Sequence, residues 1–271
     1  MEGLQMVLSR LRGMPELSDI PPETDAEQEA RLNRERGELT GYDCPICLNR
    51  GFMYRVRNGE ISVSQCQCKE IRAGMNRLKR SGLEAAAKNC RLDTFHATEE
   101  WQKVMLDTAK RFLADRDRQW LFVSGQTGCG KTHICTAVAV KLLRAGANVR
   151  YAQWNETVQR LQACRFDDEA YAEIIEPLKR CQVLYIDDLF KTASNKPPTD
   201  ADFRAAFELL NARYNSPKLI TIISTEHSLR DLYAFDAAMV GRIAERCGKY
   251  RVQIAVKPGR NYRERFLGGE V

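Results

Sequence analysis

The stretch Trp120-Leu121-Phe122-Val123-Ser124-Gly125-Gln126-Thr127-Gly128-Cys129-Gly130-Lys131-Thr132 decides how this 271-residue chain is read. Gly125, Gly128, Gly130, Lys131 and Thr132 fit the phosphate-loop pattern, two outer glycines separated by four residues and then Lys and Thr, directly after an apolar run. Glycines let the backbone turn with its N–H groups pointing inward, which makes a concave nest for phosphate oxygens. The positive N-terminal end of the following helix adds to it. Gln126, Thr127 and Cys129 complete the loop, and His133 follows it in a packing or supporting role. Lys131 is expected to reach the β and γ phosphates and the Thr132 hydroxyl to ligate magnesium. The apolar stripe Ile134, Val138 and Leu142 supplies the required helix.

Further along, apolar runs alternate with helical stretches. The runs are Trp120 to Ser124, Val149 to Gln153, Gln182 to Ile186, Leu219 to Ser224 and Tyr250 to Val256. Five such strands with helices between them predict a parallel sheet covered on both faces, an α/β fold whose ligands bind at the carboxyl ends of strands. The third run delivers Asp187 and Asp188 at its carboxyl end and looks like a Walker B element. Asp187 would hold magnesium, mostly through water, and Asp188 would orient and polarise the attacking water as a general base. Many such ATPases carry Glu at the second position, so the shorter Asp188 predicts slow turnover. The fourth run ends in Ser224-Thr225-Glu226, where Thr225 or Ser224 could sense phosphate; Glu226 has no assigned role. Arg242 and Arg246 lie one helical turn apart. Arg242 is the candidate for an arginine that neutralises transition-state charge across a subunit interface.

Ahead of this domain stand Cys44-Pro45-Ile46-Cys47 and Cys66-Gln67-Cys68, separated by a segment that reads as a hairpin turning at Asn58-Gly59. Two short-spaced pairs place four thiolates for one structural zinc, replacing a core that about forty residues could not supply. The other six cysteines lie in apolar or helical contexts and are read as small buried hydrophobes. Upstream, a short helix is expected at Leu4 to Leu11, a break at Pro21-Pro22 and a charged helix near Thr24 to Arg36.

Hydrophobic residues make up 44% of the chain, ample for a core. No apolar run of about 18 residues exists to span a bilayer, and the N-terminus lacks the layout of a secretory signal, so a cytoplasmic protein is expected. Charge is distributed unevenly. Residues 1 to 43 carry five Arg against ten acidic residues; residues 69 to 91 carry seven basic against two acidic, and residues 241 to 271 eight against three. The basic blocks suit either a solvated surface or contact with nucleic-acid phosphates.

The motifs together resemble the bacterial and phage helicase loaders of the DnaC/DnaI type, within the AAA+ ATPases. The resemblance covers about residues 77 to 265. It is carried by Arg77-Leu78-Lys79-Arg80-Ser81-Gly82, Leu92-Asp93-Thr94-Phe95, the phosphate loop running into His133, Ile186-Asp187-Asp188-Leu189, Leu210-Asn211-Ala212-Arg213-Tyr214-Asn215, Gly241-Arg242-Ile243 and Asn261-Tyr262-Arg263. The cysteine cluster is similar to the zinc module of the DnaI branch. What the resemblance implies is an N-terminal helical and zinc-binding module (1–68) that binds the replicative hexameric helicase, a basic linker helix (69–91) and an AAA+ domain (92–271). That domain would use ATP to self-associate and would hold single-stranded DNA. Residues Trp154 to Ile175 would form the extra helical insert of initiator-type AAA+ domains, with Arg160 and Arg165 as DNA contacts. The 29 residues after Arg242 are too few for a separate lid domain. A related core occurs in transposition helper ATPases that act on duplex DNA, which usually lack a zinc module. A zinc-bearing adaptor with a non-hydrolysing nucleotide site is the third alternative.

Overall fold

In the computed structural model, which describes residues 23–80, 88–117, 119–192 and 197–266, the chain divides at Lys69–Glu70 into two units. The helix expected at Leu4 to Leu11, the break at Pro21-Pro22 and residues 81–87 of the basic linker helix lie outside the described residues.

The first unit holds α1 (Asp25–Leu32), β1 (Phe52–Arg57) and β2 (Glu60–Gln65). Thr24 and Glu27 close α1 with a reciprocal capping box. The two strands pair antiparallel in a hairpin, Arg57 opposite Glu60. Its turn is Asn58-Gly59, both at positive φ (51° and 76°), as a tight hairpin turn requires. Side chains of α1 and of the segment after it serve the free edge of β1 as a strand would. Asn33 both donates to and accepts from the Tyr54 backbone, and Glu29 accepts the Val56 N–H at 3.1 Å. Asp25 accepts both turn N–H groups, so one short helix fixes the whole hairpin edge.

Helix α2 (Cys68–Arg80) runs across the division, and in the second unit α3 (Glu100–Ala114) leads to β3 (Trp120–Ser124), α4 (Lys131–Arg144), β4 (Val149–Gln153), α5 (Trp154–Ala163), α6 (Asp168–Arg180), β5 (Val183–Leu189), α7 (Asp200–Tyr214), β6 (Ile220–Thr225), α8 (Leu229–Tyr233), α9 (Ala237–Cys247), β7 (Arg251–Gln253) and a 3₁₀ turn at Tyr262–Phe266. The sheet order is β4-β5-β6-β3-β7, and every neighbouring pair is parallel. Strand alternation splits the core in two. Leu121, Val123, Tyr185 and Ile222 face α3 and α4, whereas Trp120, Phe122, Ile186 and Ile223 face α5 to α9. Each layer of helices therefore seals one face, and the strand carrying the phosphate loop lies between β6 and β7.

The strand ends differ from expectation in informative ways. β5 runs on to Leu189 through a register shift against β6. β7 is three residues long, because after Gln253 the chain leaves the sheet edge and crosses the phosphate loop: Lys257 N–H donates to Gln126 Oε1 at 2.8 Å and Tyr262 N–H to Gly128 O at 3.0 Å. The stretch 154–175 forms α5 and the start of α6, with exposed Phe166 under the Arg165 guanidinium at 4.5 Å. Arg213 is fully buried on α7. It donates to the carbonyls of Leu178, Cys181 and Ile220 and to Thr221 Oγ1, joining the end of α6 to the starts of β5 and β6.

Candidate functional site

The loop between β3 and α4 wraps as the glycine spacing demands. Gly128 and Gly130 sit at φ 77° and 93°, a region that costs a residue with a Cβ about 1–2 kcal/mol. Close approach adds to the requirement: a Cβ on Gly128 would collide with Asn261 Oδ1, and one on Gly130 would lie 2.9 Å from Phe95 Cε2. Lys131, only 5% exposed, turns back into the loop and donates to Gly125 O at 2.8 Å and Gln126 O at 3.0 Å. These carbonyls hold the ammonium where arriving phosphate oxygens can take it over.

The loop opens onto a cavity of about 490 Å³. It is lined by Thr127 to Thr132, Asp188, Lys191 and Glu226, and also by Phe95, Trp101, His133, Arg260 and Arg263. Cys129 is buried in the loop. His133 contacts the Arg91 carbonyl through Nε2 at 2.9 Å and the Phe95 ring edge-on. It therefore pins the Leu92-to-Phe95 segment against α4.

Asp187 lies at the end of β5 on the α4 side, the side that alternation assigns to Tyr185. Thr132 Oγ1 lies 3.3 Å from Asp187 Oδ1, so the two groups expected to share magnesium meet. Tyr185 donates to the same carboxylate at 2.6 Å, Tyr151 at 3.1 Å, and Ser224 also donates to it. Burial, together with the Asp187 charge, pushes both phenols well above their ordinary values, so they remain donors. With its lone pairs so occupied, Asp187 suits a magnesium ion held through water. Asp187 and Thr132 would hold the ion, which would supply charge neutralisation to the phosphates.

Alternation also separates Ser224 from Thr225. Ser224 points to Asp187 and donates its hydroxyl there while accepting the Asp188 N–H at 3.0 Å. The Thr225 hydroxyl is fully buried on the opposite face and donates to Leu189 O at 2.7 Å. Thr225 thus stands away from the cavity, and the phosphate-sensing role expected for it is corrected: its hydroxyl holds the turn after β5. Arg242 lies outside the cavity lining, stacked 5.3 Å over Phe207 and 5.7 Å over Tyr214. Arg246 donates to Gln119 Oε1 and to the Tyr214 carbonyl.

Asp188 lines the cavity in left-handed backbone, φ 54°, and Phe190, buried in the core two residues on, is also left-handed, φ 62°. Such backbone is costly for residues other than Gly and persists only where the surroundings enforce it. Here Ser224 takes the Asp188 N–H, Thr225 takes the Leu189 carbonyl, and the Phe190 ring is buried beside Trp154 and Phe203. The turn returns Lys191 to the cavity, with its Nζ 2.9 Å from Asp188 Oδ2 and 3.2 Å from Glu226 Oε1. Burial lowers the Lys191 pKa, but the bonds to Asp188 and Glu226 outweigh it and leave it raised. Burial raises Glu226, but the Thr127 hydroxyl at 2.5 Å and Lys191 outweigh it and leave it lowered. Sequence reasoning overlooked Lys191, Tyr151 and Tyr185. Only Tyr185 carried a signal, two residues before Asp187 and so on its face.

In the first unit the sulfurs of Cys44, Cys47, Cys66 and Cys68 are buried and lie within 4.8 Å of one another. Pairs stand 3.8 Å and 3.4 Å apart, close to the roughly 3.8 Å edge of a tetrahedron with metal–sulfur bonds of about 2.3 Å. Leu48 and Asn49 turn at positive φ, which brings the Gly51 N–H to Cys47 Sγ at 3.3 Å. Burial raises the Cys47 thiol, but that N–H and the neighbouring thiols outweigh it and bring it to about 6. Four clustered thiols of this chemistry fit one zinc ion, which would be fully enclosed and so structural. Cys66-Gln67-Cys68 completes the cluster despite its tighter spacing because Lys69 N–H returns to the Cys66 carbonyl at 3.1 Å.

The sheet order, phosphate loop and acidic strand end define an AAA+ P-loop nucleotide-binding domain, preceded by a cysteine cluster that could hold zinc. The chain belongs to the family of IstB-like ATP binding proteins, whose model matches residues 65–265. It is 30% identical over 265 residues to the phage-like element PBSX protein XkdC of Bacillus subtilis strain 168, covering 93% of this chain and 92% of XkdC. Among solved structures it is similar to DnaI, with TM-score 0.50 and 20% identity over 63% of this chain and 94% of that one. It is likewise similar to the replication initiator DnaA bound to AMPPCP and single-stranded DNA, with TM-score 0.51 and 20% identity over 62% of this chain and 50% of that one. At those identities the structural likenesses show the fold. No helix among the described residues is long and apolar enough to cross a membrane.

Proposed function

We propose that this protein is an ATP-hydrolysing helicase loader. Its first 68 residues bind a replicative hexameric DNA helicase, residues 69–91 link, and residues 92–271 bind ATP, self-associate and hold single-stranded DNA while the helicase ring is placed. The observation that carries the reading is the 3.3 Å approach of Thr132 to Asp187 beside the phosphate loop: one cleft offers phosphate donors, a magnesium position and, in Asp188, a carboxylate for the attacking water. Lys131 would take the β and γ phosphates, Gly125 to His133 would wrap them, and Arg242 would act on the site of a neighbouring copy. The family assignment supports ATP as the nucleotide. The thiol cluster, the insert at 154–175 and the likeness to DnaI support the loader reading. Hydrolysis would be slow, because Asp188 is short and already paired.

The family match supports a second reading, a transposition helper acting on duplex DNA. One assay separates the two. Purified protein is given ATP with single-stranded or duplex DNA, with and without the host's replicative helicase, and helicase retained on DNA is measured alongside phosphate release. The loader reading expects ATP-dependent helicase retention on single strands, lost in Lys131→Ala. Filaments on duplex DNA with no helicase retention would reverse the order.

A further inference from the structure

Glu226 poses an electrostatic problem. It sits at the strand end beside the phosphate loop, bonded to Thr127, where a carboxylate repels a phosphate and an amide would not. Asp188 lines the same cavity. The cation that faces both is Lys191, and nothing in the spacing of the motifs assigns it. It reaches them only because Asp188 and Phe190 both adopt left-handed backbone, which turns the chain back within three residues. Lys191 remains 40% exposed at its side chain, so it can move without disturbing the core. The charged side chains lining the cavity are Lys131, Lys191, Arg260 and Arg263 with Asp188 and Glu226, and the Lys191 ammonium is paired with both of those carboxylates.

We propose that Lys191 is a cation that reads the terminal phosphate: it bridges Asp188 and Glu226 in the empty site and gives up Asp188 for the γ phosphate. The exchange uses a flexible four-carbon stem carrying a point charge, which re-pairs readily. It frees Asp188 for the attacking water only when a triphosphate is present. A diphosphate does not extend to this end of the cavity, so with ADP the bridge stays closed. The site thereby distinguishes the two nucleotides within a single chain, apart from any arginine contributed by a neighbour.

This inference rests on the ATP-binding reading, and the experiment separates the two. Mg-ATP and Mg-ADP affinities and single-turnover hydrolysis are measured for the full chain, Lys191→Met and Lys191→Arg. Absence of ATP binding by the unaltered protein would sink the underlying reading itself. If the unaltered protein binds ATP, Lys191→Met is expected to weaken ATP about tenfold, equivalent to roughly 1.4 kcal/mol, while ADP changes less than about twofold and hydrolysis falls. Lys191→Arg is expected to restore most of the ATP preference. Equal weakening of both nucleotides, or no change in either, overturns the proposal. Full recovery of the preference in Lys191→Met combined with Glu226→Gln also overturns it, because Lys191 would then be only a counterion.

Discussion

Removing metal from the cysteine cluster should unfold the first unit and leave the second intact. In the described part of that unit the buried side chains are the four cysteines, Val56 and Asn49. Complete burial of one valine stabilises by about 2 kcal/mol, whereas each ordered residue costs about 1–2 kcal/mol of backbone entropy. The hairpin and α1 are joined mainly by side-chain bonds to exposed or half-buried backbone, each contributing about 1 kcal/mol. A structural zinc contributes about 10–16 kcal/mol in comparable small sites, and so exceeds every other contribution in the unit. We therefore expect one zinc per chain by mass spectrometry. After treatment with a strong chelator, limited proteolysis should cut within residues 23–69 while the fragment beginning near residue 92 resists. Cys47→Ser should do the same without chelator, since loss of a direct ligand exceeds the roughly 10–100-fold loss of affinity caused by removing an outer partner. Verified metal-free protein whose first unit stays protease-resistant would refute the reasoning, as would thiols found paired in disulfides.

Three further outcomes follow from particular contacts. Arg213→Met should destabilise the second unit by about 3 kcal/mol or more, because it strands several buried carbonyls and the Thr221 hydroxyl; a thermal midpoint unchanged from the parent would contradict this. Gly128→Ala, at φ 77° and against Asn261, should weaken Mg-ATP binding at least tenfold, about 1.4 kcal/mol, with circular dichroism unaltered, and undiminished binding would disprove it. Asp115 is held at about 2, below its ordinary 3.8, chiefly by the Tyr250 hydroxyl, then by the Asp117 N–H and Lys249. A depressed carboxyl gives stability that is present above pH 4 and lost as pH falls toward 2. Asp115→Asn should therefore flatten the acid side of the stability curve between those values, and an unchanged acid limb would argue against the contact.

How much of this was legible before the structure depends on whether each feature is written in local preference. The phosphate loop was, because three glycines at positive φ leave their spacing in the sequence. The sheet was, since strands covered on both faces read as apolar runs, and the Asn58-Gly59 turn announced its hairpin. Two things were hidden for different reasons. The Thr225 error was one of parity: Ser224 and Thr225 are adjacent polar residues, and nothing local says which face of β6 meets α4. The answer follows only once Leu121, Val123 and Ile222 are known to face that helix, and then Ser224 is fixed as the inward residue.

Lys191 was hidden more deeply. Its position depends on Asp188 and Phe190 holding backbone that their own side chains disfavour, enforced by Ser224, Thr225 and the buried Phe190 ring. Local preference and tertiary demand conflict there, at the carboxylate nearest the expected γ phosphate. Strain of this kind persists where an element must be held ready to act. Asp188→Asn tests it: asparagine tolerates left-handed backbone at least as well, so the fold should be as stable as the parent's by thermal melting, while hydrolysis ceases and ATP stays bound. A variant that both melts lower and releases ATP would mean that the Asp188–Lys191 pair holds the turn together, and that the strain there serves structure, not turnover.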